Sequence, residues 1–86
     1  MYIHIGQGTV LTEKSVIGIF DLDNATSSHI TRAFLARKEK EKRVTAAGNE
    51  LPKAFIVTEE GGNDAVYLSL LSSATLSKRA ESLRIE

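Results

Sequence analysis

Six of the eleven basic residues lie between positions 32 and 43, namely Arg32, Arg37, Lys38, Lys40, Lys42 and Arg43, with only Glu39 and Glu41 among them. This segment carries +4 and the rest of the chain −4, within a formal net charge of zero. Clustered Lys and Arg suit phosphate, so one reading is an electrostatic footprint for a nucleic-acid backbone. The other is a solvated helix end, because the two glutamates interrupt the run and mixed charges commonly decorate exposed helices. A symmetric oligomer would repeat the patch about its axis and shift the balance toward phosphate, since weak contacts then multiply. Lys53, Lys78 and Arg79 are open to the same two readings.

Other residue types offer less. His4 alternates with Tyr2 along an expected strand and His29 stands near an expected helix start, with no carboxylate at a telling spacing from either, so both read as structural or surface histidines. Asp21 and Asp23 share a turn but lack the ligand series that a hard cation needs. Gly6-Gln7-Gly8 lacks the third glycine and the following helix of a phosphate-cradling loop, and a hairpin turn accounts for both glycines. Ser69, Ser72 and Ser73 lie in no Gly-x-Ser-x-Gly elbow. No catalytic residue, metal site or cofactor is expected, and the chain does not read as an enzyme.

The elements that must position the basic run follow from periodicity. Tyr2 to Ile5 and Thr9 to Leu11 form a short hairpin about Gly6-Gln7-Gly8. Ser15 to Phe20 is apolar nearly throughout, which predicts a strand covered on both faces, and Gly18 marks a bulge or a close approach of another backbone. Thr26, Ser27 or Ser28 caps a helix whose Ile30, Ala33, Phe34 and Arg37 share one face. After Ala36 the segment is charged to Arg43, so its second half is expected in solvent or against an acidic partner, with Glu39 and Arg43 paired at i,i+4.

Val44-Thr45-Ala46 forms a further strand, and Gly48 to Pro52 breaks the pattern. Ala54 to Thr58 and Ala65 to Leu71 are strands that pair about the polar loop Glu59 to Asp64, with Val66, Leu68 and Leu70 on one face. Ser72 or Ser73 caps a last helix bearing Leu76, Ala80 and Leu83. The predicted fold is α+β in one domain, residues 1–86, a small antiparallel sheet with two helices. Its expected interior holds Ile17, Ile19, Phe34, Phe55, Val57, Leu68 and Leu76.

At 86 residues the chain removes only about 60–65% of its unfolded surface on folding, and it has no cysteine to staple so small a core. Packing must therefore supply the stability, including packing across subunits. With 42% hydrophobic and 26% charged residues the composition is globular. The opening residues show no signal-peptide features, and no run reaches the ~20 apolar residues that span a bilayer, so a cytoplasmic location without membrane association is expected.

Three separated segments carry a resemblance: Met1-Tyr2-Ile3-His4-Ile5-Gly6, Val16-Ile17-Gly18-Ile19-Phe20-Asp21, and Leu70 through Arg79. In order and over nearly the whole chain they resemble the RemB branch of the extracellular matrix regulator (RemA/RemB) family. The resemblance implies a subunit similar to LytTR-type DNA-binding domains and, by analogy with the RemA branch, a closed ring that meets DNA through arginines. At the matching positions this chain departs from that pattern. Ser15, with Lys14 beside it, stands for an arginine before the third strand, and Asn49 and Glu50 stand for two adjacent arginines after the loop glycine. The basic residue before the next strand is kept as Lys53.

Replacing an arginine pair by Asn and Glu removes bidentate phosphate donors and adds a repelling charge. The expectation is thus a homo-oligomeric, ring-forming regulator of bacterial gene expression. It would contact double-stranded DNA through the basic helix together with Lys14, Lys53, Lys78 and Arg79. The alternative is a scaffold of the same fold that has lost DNA binding.

Overall fold

The computed structural model describes residues 2–6, 8–22, 28–46 and 51–82. The chain opens with a hairpin of β1 (Tyr2–Gly6) and β2 (Thr9–Thr12), in which Gly6 and Gly8 take φ of 112° and 79°. Positive φ of this kind costs glycine nothing, and here it reverses the chain. A 3-10 turn (Glu13–Ser15) leads into β3 (Val16–Asp21). Then come α1 (His29–Lys40), β4 (Val44–Ala46), β5 (Ala54–Glu60), β6 (Asn63–Ser69) and α2 (Ser73–Ser82). The second sheet has the order β3-β5-β6-β4. This is an α+β architecture.

Each helix begins where a serine supplies an oxygen to the first free N–H groups. The Thr31 N–H donates to Ser28 Oγ, and the Thr75 N–H donates to Ser72 Oγ at 3.2 Å. The turn between β5 and β6 is tighter than the expected loop. Both strands run into it, Glu60 faces Asn63, and Gly61 and Gly62 alone reverse the chain at φ of 58° and 84°.

The sheet is mixed, not antiparallel, because β4 pairs with β6 in parallel. The cause lies at the end of α1. Lys42 takes φ of 60°, the Lys42 N–H donates to the Glu39 carbonyl and the Arg43 N–H to the Lys38 carbonyl. This closure turns the chain into β4 beside the start of β6, so both strands leave the same end in the same direction.

Two layers cover the sheet. On one face Ile3, Ile5 and Leu11 of the hairpin and Leu76 of α2 pack on Ala54 and Ile56 of β5. Ser69 fixes this layer: its buried Oγ donates to the Ile5 carbonyl at 2.6 Å and accepts from the Leu71 N–H. On the other face, reached by the alternate residues of each strand, Phe55 and Val66 are buried below α1.

The strand covered on both faces is therefore β5, where Ala54, Phe55 and Ile56 are all buried. It was expected at residues 15–20, but β3 is an edge, with Ile17 62% and Phe20 43% exposed. An apolar run specifies strand; position in the sheet decides what covers it. Of the expected interior, Phe55 and Leu76 are buried, Ile19, Phe34, Val57 and Leu68 are half-buried, and Ile17 is exposed. The bulge does occur at Gly18, where the β3–β5 register shifts between Val16 and Gly18. A Cβ at Gly18 would stand 2.7 Å from the Phe20 ring, which stacks on Phe55 with centroids 5.1 Å apart. Leu83 lies outside the described residues.

Candidate nucleic-acid interface

Two stripes of helical spacing overlap on α1. Ile30, Ala33, Phe34 and Arg37 form one, and Thr31, Phe34, Leu35 and Lys38 form the other, each at i, i+3, i+4, i+7. The sequence reading took the first as the buried face. The protein uses the second: Thr31, Phe34 and Leu35 are half-buried and Lys38 is buried, whereas Ile30, Ala33 and Arg37 are exposed. Each stripe carries one branched apolar chain, Ile30 or Leu35; what sets the second apart is that its lysine lies inward along an apolar four-carbon stem and meets Asp64.

Lys38 is thus turned inward. Its side chain is 7% exposed, and Nζ lies 2.7 Å from Asp64 Oδ1 and 3.3 Å from Glu41 Oε1. The hydrogen bond to Asp64 raises the lysine pKa above its ordinary value against the lowering effect of burial. The same bond holds the Asp64 carboxyl below the usual range. Arg43 is half-buried and donates Nε–H to the Asp64 carbonyl, so it is held within the chain instead of pairing with Glu39. Of the two settings expected for the charged half of the helix, solvent or an acidic partner, both occur: Lys38 meets Asp64 of the same chain, while Arg37, Glu39 and Lys40 face solvent.

Arg32, Arg37, Lys40 and Lys42 remain exposed. Arg37, Lys40 and Lys42 gather at the C-terminal end of α1, where cations also complement the helix dipole. Arg37 lies over the Phe34 ring at 5.8 Å, on the flank that carries Ile30 and Ala33. Lys14 is exposed in the 3-10 turn at the same end of the sheet, whereas exposed Lys53 precedes β5 at the opposite end. Lys78 and Arg79 are exposed on α2, across the sheet from α1, with Arg79 Nη1–H donating to the His4 carbonyl at 2.8 Å. The ten basic positions therefore do not form one patch on this chain. Asn49 and Glu50 lie outside the described residues.

Asp64 is the partner that sequence reading missed. It had been placed in a loop, and its signal was the unused stripe of α1 that ends in a lysine needing a carboxylate. His4 and His29 are both exposed, and among the described residues no cluster of three or more His, Asp or Glu could hold a metal ion. No helix among the described residues is long and apolar enough to cross a membrane.

Comparison with known proteins agrees with the resemblance read from the sequence. The family described as RemA-like, extracellular matrix regulatory protein A-like, matches residues 2–80. The chain is 40% identical over 81 residues to extracellular matrix regulatory protein B of Bacillus subtilis (strain 168), covering 94% of this chain and 91% of that one. With an α+β fold whose sheet is covered on both faces, an exposed basic helix end and a match from the first hairpin into the last helix, the chain belongs to the RemA-like family of extracellular matrix regulatory proteins.

Proposed function

We propose that this protein is a cytoplasmic regulator of bacterial gene expression that assembles into a ring and binds the phosphate backbone of double-stranded DNA. The name of its relative supports regulation, and the exposed cations at the end of α1 support phosphate as the ligand. The observation that carries the reading is that Arg37, Lys40 and Lys42 stay outside after Lys38 and Arg43 have turned inward. Three cations per subunit bind phosphate weakly. Repeated about a ring they act at high effective concentration, provided the DNA bends to meet them. Nothing in the patch reads bases, so binding would be largely independent of sequence.

A second reading, an oligomeric scaffold that has lost DNA affinity, draws on the interleaved Glu39 and Glu41, both exposed. Fluorescence anisotropy with duplex DNA separates the two. Each phosphate neutralised contributes a log–log salt slope of about −0.9. The expected result is steeply salt-dependent binding that is lost in the Arg37→Glu, Lys40→Glu, Lys42→Glu variant, with the mass by light scattering unchanged. Lys38 is left intact because its change would disturb the fold. An assembled protein that binds no DNA even at low salt would establish the scaffold instead.

A further inference from the structure

We propose that the cavity between β2 and the C-terminal end of β5 is a binding site for a small organic cation, a primary ammonium on a short alkyl stem. The cavity holds about 140 Å³ and lies on the hairpin face of the sheet, across from α1. It is therefore separate from the cations invoked for DNA. Its polar lining comes from three strands and the 3-10 turn: Thr12 of β2, Ser15 of the turn, Thr58 and Glu60 of β5, and Tyr67 of β6. The volume far exceeds the ~15 Å³ that a single water needs.

The hydroxyls select the sign of the ligand. Ser15 and Thr58 are each 6% exposed, and each gives its proton to a backbone carbonyl: Ser15 Oγ donates to Thr12 at 2.8 Å and Thr58 Oγ1 to Ala65 at 3.4 Å. A hydroxyl has one proton and two lone pairs, so each is left with acceptor capacity alone. Glu60 adds an exposed carboxylate that forms no ion pair among the described residues, not even with Lys14, the neighbour of Ser15. Acceptors and a carboxylate suit a group that carries positive charge and donates several hydrogen bonds. An anion would meet lone pairs and a like charge.

The rest of the lining favours an organic cation over a metal ion. Val10 and Leu11 supply an apolar wall against which an alkyl stem is removed from water. The half-buried Tyr67 ring adds cation–π attraction for the charged head. A hard divalent cation takes six or more oxygens, usually with several carboxylates, and this cavity has Glu60 alone.

Saturation-transfer difference NMR with n-butylammonium chloride tests this on the full chain in its own assembled state, with n-butanol as the uncharged match. The expected result is transfer to butylammonium and little to butanol. Thr58→Val keeps the shape of the side chain and removes the buried acceptor; losing one hydrogen bond to a charged group weakens binding about tenfold. Glu60→Gln removes an exposed charge, worth about two- to fivefold. Circular dichroism confirms that both variants are folded, and Glu60→Gln alters only an exposed side chain, so it decides the matter if Thr58→Val does not fold. No transfer to butylammonium, equal transfer to butanol, or binding that neither variant weakens would overturn the site. Displacement by potassium chloride but not by the same concentration of tetramethylammonium chloride would assign the cavity to an inorganic cation and overturn the organic ligand.

Discussion

A lysine on the face of a helix that meets a sheet keeps its charge only if a carboxylate meets it there. Asp64 does this for Lys38, from the second residue of β6. Lys38→Glu would gather three carboxylates about one point, so its unfolding midpoint in denaturant is expected to fall clearly. Lys40→Glu, two residues on and exposed, is expected to leave it nearly unchanged. The pair also sets the pH response. Asp64 is lowered from 3.8, so its contribution is present above that value and is lost as pH falls through the depressed pKa. Lys38 is raised from 10.5, so its contribution is complete below that value and is lost as pH rises through the raised pKa. Asp64→Asn is expected to flatten the acid limb of stability against pH; an unaltered limb would show that the pair is not what titrates.

At the scale of elements, cover differs between the two faces of the sheet. Phe55 is 2% exposed on the central strand, between the Phe20 ring and α1. Phe34 is half-buried, because α1 turns its outer stripe to solvent. Phe55→Ala should therefore cost about 3–5 kcal/mol, a large share of the stability of so small a domain. Phe34→Ala should cost distinctly less, since part of that ring is already in water. Equal losses of denaturation midpoint would mean that α1 sits deeper on the sheet than the stripe of Thr31, Leu35 and Lys38 implies.

At the scale of the molecule, a neutral chain binds DNA only through the arrangement of its charges. The cations at the end of α1 are few, and Lys78 and Arg79 lie across the sheet. On the proposed reading, affinity is tied to assembly. DNA binding measured against protein concentration is expected to rise with the oligomer seen by light scattering, not in proportion to the subunit. A dispersed subunit that binds as tightly as the assembly would sever that link.

The chain's own pattern determined the hairpin at Gly6 to Gly8, the strand at Ala54, both serine caps and the bulge at Gly18. Each depends on neighbours in sequence: a turn needs its glycine, a cap its hydroxyl, a strand its alternation. The family was legible too, in three short segments. Only the tertiary structure decided between the two stripes of α1, because their spacing is equal and the choice turns on Asp64, 26 residues from Lys38. It likewise decided that β5 is central and β3 an edge, since apolar content records burial without recording which neighbour supplies it. Strand direction at β4 followed from the positive φ at Lys42, which nothing in that lysine's type announces. The candidate site was legible as a charge run, and the fold removed two of its six cations by giving them partners that local spacing could not show.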